Sequence, residues 1–440
     1  LKNEGDILPL APGANIAVLG EFATEPRFQM DGSALVNPTR WDVPLEEIRQ
    51  RAQGRVSYGR GHSLQPAEHA ALLREACGLA RQADAALVFV GLPAGVEAEG
   101  KDRSGIELPA YHRELVEQVA GVQKNTVVVL CNGSPVAMPW LGQVKGVVEC
   151  FLAGQAMGGA LANILYGSVC PSGKLPLTFP KELCNTPAYL NYPGYGGKVK
   201  YQEEVFVGYR YYDTKGVEPL FCFGHGLSYT RFAYKELELS AGEITDADTL
   251  TVQLTVENTG GRAGAETVQL YVAPPPGQVL RPARELREFA KVFLQPGESR
   301  RLAFQLEKRA FSYYDVELGD WYVPEGEYRI QLAASSRDIR CEAAVRVRPL
   351  HPKRQEITGW STIGQLRQTQ AGREMFREIR RILQNCGKEN MLELPIFDES
   401  EAAAQRVDSL PLRMITLLSD NVLNNDIMDR LIERCNQQSL

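Results

Sequence analysis

The sequence predicts an α/β domain built around a mostly parallel sheet, followed by an all-β sandwich and a small helical tail. Three changes in the spacing of apolar residues support this prediction. Up to about residue 180, continuous apolar runs alternate with segments of helical periodicity. From about residue 231 apolar residues fall at every second position, and from about residue 356 helical spacing returns. Strands buried on both faces read as continuous apolar runs, whereas strands with one solvated face alternate.

The α/β domain is predicted over residues 13–180. Its strands are short apolar or β-branched runs at 16–20, 55–59, 85–91, 126–131 and 146–152. Segments with helical spacing lie between them at 44–52, 66–83, 109–122 and 158–166. Alternation of strand and helix indicates a doubly wound sheet. A dinucleotide site after the first strand is excluded, because no G-x-G-x-x-G motif follows Gly20.

Residues 181–230 are rich in Pro, Gly and Tyr and have weak periodicity, which predicts an ordered connector rather than a disordered linker. The β-sandwich is predicted over residues 231–348. Its strands alternate apolar and polar residues, as at 250–256, 266–272 and 301–306. Turn signals separate these strands, which is typical of a sandwich. Residues 349–440 form the helical extension, with a second helical segment over 410–440.

Composition excludes several classes of function. The net charge of -6 and the scattered Lys and Arg residues give no reason to expect a nucleic-acid partner. No apolar run approaches the ~20 residues of a membrane span, so no membrane partner is expected. The nine cysteines include no CxxC pair or Cys/His cluster, so no metal site or cofactor is predicted and a reducing, cytoplasmic location is favoured. Because the chain begins with Leu1 and shows no signal-peptide pattern, we expect a piece of a longer protein or a product of processing.

The most informative stretch is the charged loop Glu97–Arg103, with the sequence EAEGKDR. It follows an apolar strand, and open α/β sheets bind their ligands at the carboxyl ends of such strands. Gly100 permits a tight turn, and the cations Lys101 and Arg103 are placed to tune the neighbouring acids. The simpler interpretation is a solvated loop closed by an Asp102–Arg103 ion pair.

Other candidates each have two interpretations. Asp31–Ser33 follows the first strand at the same predicted sheet edge, and either lines a cleft or forms an Asx turn. Trp41 and Trp140 either stack on a ring of a bound ligand or pack in the interior, which is the commoner fate of Trp. His62 follows a strand-like run near this edge, whereas His225 lies in a Gly-rich turn and is expected to be a hydrogen-bonded structural residue.

Motifs spread over residues 1–348 together resemble glycoside hydrolase family 3, the β-glucosidase family, and they occur in the family's order. The matching segments are LKNEGDILPL at 1–10, EGKDR at 99–103, AGQAMGGA at 153–160, PSGKLP at 171–176, FVGYRYYD at 206–213, FGHGLSY at 223–229, and NTG through VQLYV at 258–272. The resemblance implies an α/β sandwich followed by a fibronectin type III-like domain. Residues 1–12 then resemble the linker that leaves the family's (β/α)8 barrel.

By this resemblance the chain is part of a retaining, exo-acting β-glucosidase that hydrolyses a β-glucoside or oligosaccharide. Glu99 is implied as the general acid/base, and Glu97 is its chief rival. Asp31, Lys101 and Arg103 are implied as substrate-binding residues. Retaining hydrolysis needs two carboxyl groups about 5–5.5 Å apart, one of them a nucleophile.

The sequence departs from the family in two respects. The family often has an aromatic residue where Lys101 stands, and the barrel that supplies its nucleophilic Asp has no counterpart in residues 1–440. A barrel domain, in cis or in trans, is therefore the expected partner. The chain alone is expected to be inactive and to self-associate, for example as a homo-oligomer. Two alternatives are a carbohydrate-binding or structural module without catalysis and a β-xylosidase on the same scaffold.

Overall fold

The computed structural model describes residues 1–277, 279–353, 356–397, 400, 402, 406–419 and 422–438. It divides into two compact units, Leu1–Leu350 and His351–Leu440. The first unit contains the α/β domain and the β-sandwich, and the second is helical. The predicted fold class is confirmed.

The α/β domain is built on a six-stranded sheet with the order β1-β6-β5-β4-β2-β3. Its strands are β1 Lys2–Asn3, β2 Ile16–Leu19, β3 Val56–Gly59, β4 Ala85–Gly91, β5 Thr126–Cys131 and β6 Gly146–Glu149. Its helices are α1 Pro44–Arg51, α2 Pro66–Gln82, α3 Ala110–Val122 and α4 Met157–Leu165. All neighbouring pairs are parallel except β1 with β6. The segment predicted to be a linker thus contributes an antiparallel edge strand.

Strand β4 lies at the centre of the sheet, and all of its residues are buried. Ala86, Val88 and Val90 belong to one core cluster, which includes residues of α2 and α3. Leu87 and Phe89 belong to a second cluster on the opposite face, which includes residues of α1 and α4. This two-sided burial explains why the strand reads as an uninterrupted apolar run.

The strand order reverses direction between β2 and β4. From β2 the chain moves outward to β3 at one edge, and from β4 it moves the other way to β5 and β6. The loops after β2 and β4 therefore leave the sheet beside a crevice, the place where open α/β sheets bind ligands.

The segment between the α/β domain and the sandwich is ordered by contacts with both. It contains α5, Tyr209–Lys215. The Tyr209 hydroxyl accepts a hydrogen bond from the Leu286 N–H at 2.9 Å. Arg337 binds Asp213 of α5 at 2.7 Å and donates to the Val217 carbonyl at 2.8 Å. These contacts fasten the connector to the sandwich by charge-assisted hydrogen bonds.

The β-sandwich pairs a five-stranded sheet, β11-β10-β15-β16-β8, with a three-stranded sheet, β12-β9-β7, and adds the hairpin β13-β14. The strands are β7 Phe232–Leu239, β8 Glu243–Thr245, β9 Leu250–Asn258, β10 Gly264–Ala273, β11 Glu285–Leu294, β12 Ser299–Leu306, β13 Tyr313–Asp315, β14 Asp320–Tyr322, β15 Gly326–Ala333 and β16 Ile339–Arg348. A short helix, α6, spans Lys308–Phe311. Every second residue of β9 points into the core, as the alternating sequence predicts.

The second unit contains α7 Ile363–Gln368, α8 Gln370–Asn385, α9 Met414–Leu418 and α10 Asn425–Gln438. Thr362 and Gln365 form a reciprocal capping box at the start of α7. Within the predicted second helical segment, residues 420, 421, 439 and 440 lie outside the described residues. Among the described residues, no helix is long and apolar enough to cross a membrane.

Candidate active site

Two loops meet at the carboxyl edge of the sheet, beside the crevice. The first follows β2 and contains Asp31 and Ser33, and the second follows β4 and contains Glu97 and Glu99. An isolated parallel bridge joins Asp31 to Ala98, so the loops pair through their backbones. The structure therefore brings together the two segments that the sequence singled out separately.

Arg27 joins these loops and was missed by the sequence analysis. Its side chain is only 9% exposed. Its Nε atom donates to the Leu92 carbonyl at 3.3 Å, and its Nη2 atom donates to the Glu97 carbonyl at 3.2 Å. Its Nη1 atom pairs with Asp31 Oδ1 at 3.1 Å. One buried guanidinium thus holds the first part of the second loop, from Leu92 to Glu97, against the first loop.

Asp31 uses both carboxylate oxygens within the loops. Oδ1 pairs with Arg27, and Oδ2 accepts the Gly95 N–H at 2.8 Å. The Gly95 hydrogen bond, together with the charge of Arg27, lowers the pKa of Asp31. Its contacts indicate a role in holding the loops, and its predicted contact with substrate stays a prediction.

Glu99 is exposed and points its carboxylate at the first loop. Its Oε2 atom accepts hydrogen bonds from the Ser33 hydroxyl and from the Ser33 N–H, the latter at 3.3 Å. Among the described residues, none donates a hydrogen bond to Oε1. Gly100 has φ +75°, which permits the turn predicted directly after Glu99. Glu99 therefore presents one oriented and one open carboxylate oxygen.

Glu97 has the opposite environment, because it is 6% exposed and faces inward. Its Oε2 atom accepts the Gly133 N–H at 2.7 Å, and its Oε1 atom accepts a hydrogen bond from the Ser134 hydroxyl. Both donors lie in the loop after β5. With both oxygens engaged by protein donors, Glu97 anchors the loop base.

The side chains of Lys101 and Arg103 also donate hydrogen bonds to protein atoms. Arg103 donates from Nη1 to Ser134 Oγ at 2.8 Å and to the Pro135 carbonyl at 3.2 Å. Burial lowers the pKa of Arg103, although the charge of Glu97 opposes this effect. Lys101 donates to the Gly95 carbonyl. Lys101 and Arg103 thus hold the loop in this structure, and their predicted contacts with substrate stay a prediction.

The alternative of an Asp102–Arg103 ion pair is wrong. No such pair occurs in the described part of the chain, and Arg103 turns inward to Ser134. Asp102 instead accepts a hydrogen bond from Tyr192 of the connector, which raises the pKa of that phenol.

Glu149, at the end of β6, is a second residue that the sequence analysis missed. Burial raises its pKa to about 8, against hydrogen bonds that favour its charged form. Those bonds come from the Phe151 N–H at 2.9 Å and from Asn132 Nδ2 at 3.3 Å. The charge of Glu97 also raises the pKa of Glu149. A neutral carboxyl group therefore lies behind the candidate site at neutral pH.

The remaining candidates fall into two groups. Trp140 is fully buried, as the packing interpretation expected, whereas Trp41 is half exposed and stacks on Phe28 at 6.2 Å. His225 is structural, since its Nε2 atom lies 2.9 Å from the Leu1 carbonyl and its ring stacks on Phe221. His62 is buried beside a second histidine at the same sheet edge.

A cavity of about 450 Å³ lies elsewhere, against β6 and the 171–176 and 225–229 segments. Its walls include Val147, Pro171 and Tyr229, and neither Glu97 nor Glu99 lines it. The candidate active site lies instead where the loops after β2 and β4 converge, because the carboxylates of Glu97 and Glu99 are held there.

The fold and the loops define a class of protein. In this class an open α/β domain presents an exposed carboxylate at the crevice of its sheet and is followed by a β-sandwich domain. Residues 1–229 match the glycosyl hydrolase family 3 C-terminal domain, and residues 266–336 match the fibronectin type III-like domain. The chain belongs to glycosyl hydrolase family 3.

Several known proteins are similar to this chain. The thermostable beta-glucosidase B of Acetivibrio thermocellus is 42% identical over 439 residues, which are 99% of this chain and 58% of that protein. An exo-alpha-(1->6)-L-arabinopyranosidase of Bifidobacterium longum is 44% identical over 376 residues, which are 83% of this chain and 49% of that protein. The crystal structure of a Bifidobacterium adolescentis GH3 beta-glucosidase matches with a TM-score of 0.78 and 44% identity, covering 85% of this chain and 55% of that one. The chain therefore spans about half the length of these relatives.

Proposed function

We propose that this chain supplies the general acid/base, Glu99, of a retaining, exo-acting β-glucosidase whose nucleophile lies in a preceding (β/α)8 barrel. The different environments of Glu97 and Glu99 carry the proposal. An acid/base must exchange protons with the leaving oxygen and then with water, so its carboxyl group must be accessible. Glu99 has an open oxygen, whereas both oxygens of Glu97 accept hydrogen bonds from the protein.

The surrounding contacts support a fixed position for Glu99. Ser33 orients one carboxylate oxygen, and the Asp31–Ala98 bridge aligns the two loops. Arg27 holds the backbone of the second loop at Leu92 and at Glu97, directly before this bridge. Such support from side chains outside the reacting group keeps a catalytic carboxyl in its productive geometry.

The family relationship and the partial length of this chain support the proposal that the acid/base and the nucleophile lie in different domains. The matched relatives are longer than this chain, and retaining chemistry requires a second carboxylate. A barrel domain supplied by the same or another polypeptide would bring the nucleophile and most of the sugar contacts. The chain by itself is expected to lack glycosidase activity.

Variants at the two glutamates test the proposal in a polypeptide that carries the barrel. Glu99→Gln should slow hydrolysis of glycosides with poor leaving groups by several orders of magnitude, and should affect activated aryl glycosides much less, because these need little protonation. The matched variant Glu97→Gln should lower stability without this dependence on the leaving group. A leaving-group dependence in Glu97→Gln and not in Glu99→Gln would contradict the assignment.

A second candidate is an exo-acting α-L-arabinopyranosidase on the same machinery, favoured by the name of the 44% identical relative. The acid/base step is common to both activities, so Glu99 keeps its role. A panel of aryl glycosides separates them by relative kcat/KM. A preference for the arabinopyranoside would replace glucose as the proposed sugar and leave the acid/base proposal intact.

A further inference from the structure

A second group of polar side chains lies at the carboxyl edge of the sheet, apart from the candidate active site. Glu21 follows β2, His62 follows β3, and His112 lies in the first turn of α3. One oxygen or nitrogen atom from each lies within 4.8 Å of the others. The three residues come from three separate chain segments, so the fold brings them together.

The distances suit a single small ion. The Nε2 atoms of His62 and His112 are 3.2 Å apart. Two nitrogens bound tetrahedrally to Zn²⁺ at ~2.0–2.1 Å lie about 3.3–3.4 Å apart, so this spacing needs almost no change. Glu21 Oε1 lies 3.9 Å from His62 Nε2. Its distance to His112 is no more than 4.8 Å, so this partly exposed side chain must move closer to both rings to complete three ligands.

In two of the three residues, His112 and Glu21, the atom that would not face the ion is held as it usually is in metal ligands. Nδ1 of His112 lies 3.0 Å from the Gly91 carbonyl, and donation to this oxygen leaves a lone pair on Nε2. Arg60 pairs with the second oxygen of Glu21 at 3.1 Å, which orients that carboxylate. Nδ1 of His62 is buried without a hydrogen-bond partner among the described residues, and with the ring proton on this atom Nε2 would present its lone pair.

Burial and ring packing fix the two histidine rings in place. His62 is 2% exposed and His112 is 0% exposed. Tyr111 packs on His62 with ring centroids 4.8 Å apart, and Phe22 packs edge-on against His112 at 5.3 Å.

We propose that Glu21, His62 and His112 bind one Zn²⁺ ion, with water in the fourth position. Three protein ligands from two histidines and one carboxylate form a known zinc donor set. The ion would tie together the segments after β2 and β3 and the start of α3. Arg27 lies further along the first of these segments, and the loop of Glu99 runs directly into α3, so the ion would brace the surroundings of the candidate active site.

Zinc binding to the purified chain tests this site directly. The protein is stripped with a chelator and titrated with Zn²⁺ against a chromogenic competitor. We expect one ion per chain and a loss of affinity of at least about tenfold in His62→Gln and in His112→Gln, since even residues behind the ligands cost 10–100-fold. His69→Gln is the matched control, because His69 also pairs with a glutamate, Glu114 at 3.1 Å, and should leave the affinity unchanged.

Two further measurements keep the test decisive. Glu21→Gln alters a partly exposed side chain, so it should fold normally and still weaken binding; affinity equal to that of the unmodified chain would overturn the three-ligand site. Co²⁺ bound in place of zinc should show the visible bands of a tetrahedral ion without the thiolate bands expected if the nine free cysteines bound it. No binding by the unmodified chain, or equal loss in His69→Gln and His112→Gln, would show that the two histidines are only a hydrogen-bonded pair.

Discussion

Replacing Arg27 with Met should open the paired loops of the candidate active site while leaving the sheet folded. Met fills much of the volume of the arginine stem but removes every donor. The carbonyls of Leu92 and Glu97 each lose a hydrogen bond, and Asp31 loses its ion pair and keeps only the Gly95 N–H. The loops would then be joined mainly by the Asp31–Ala98 bridge.

The size of this effect follows from the contacts. A hydrogen bond from a charged donor contributes about 1.5–3 kcal/mol. The partly exposed Asp31 pair adds less than about 1 kcal/mol, because solvent screens it. Removing the desolvation cost of the buried guanidinium offsets part of the loss. We therefore expect the free energy of local opening to fall by about 2–4 kcal/mol, which is roughly a 30- to 1000-fold rise in the open population.

Hydrogen exchange measures this opening directly. Peptides that contain Gly95, whose N–H donates to Asp31, should exchange at least tenfold faster in Arg27→Met. Arg49→Met removes an exposed ion pair with Glu46 on α1 and serves as the control. Equal exchange of the 93–101 segment in the two variants would refute the role assigned to Arg27.

Three further predictions concern other parts of the first unit. Gly32→Ala should destabilise the protein by about 1–2 kcal/mol, measured by urea denaturation, because Gly32 has φ +84°, a conformation that a Cβ strains; an unchanged midpoint would contradict it. Glu149→Gln should flatten the pH dependence of the free energy of unfolding. The pKa of Glu149 in the folded protein, about 8, lies above the reference value of 4.5, so its stabilising contribution is complete below pH 4.5. This contribution is lost as the pH rises towards 8, by roughly 2–4 kcal/mol. Denaturation midpoints at pH 5 and pH 8 check this, and an unaltered difference between them would disprove it. Arg337→Met should speed proteolysis between residues 190 and 220, since Asp213 loses its partner; a cleavage rate equal to that of the unmodified chain would count against the connector contacts.

The regular elements were predictable because burial imposes its pattern on the sequence. β5, Thr126–Cys131, has the predicted bounds, and both of its faces are covered. The predicted strand at 146–152 ends early, at Glu149. Phe151 has φ +51°, a turn that a continuous apolar run does not reveal.

The site was only partly predictable, since its decisive contacts join distant segments. The loop of Glu97 and Glu99 was recognisable, but the donors that distinguish the two acids come from Ser33 and from Gly133, far away in sequence. Arg27 left no signal, because two of its three partners are backbone carbonyls. The cluster of Glu21, His62 and His112 was not predicted either, because its three residues lie far apart in the sequence.

Chemical rescue of Glu99→Ala by azide, in a polypeptide that carries the barrel, tests the assignment of Glu99 as the general acid/base most directly. Without the acid/base, an activated glycoside still forms the glycosyl-enzyme, but hydrolysis of this intermediate is slow because water is not activated. A small anion attacks the intermediate without needing a base. Azide should accelerate turnover of Glu99→Ala and yield a glycosyl azide of retained configuration, whereas Glu97→Ala should show no rescue. Rescue of Glu97→Ala alone would contradict the assignment of Glu99.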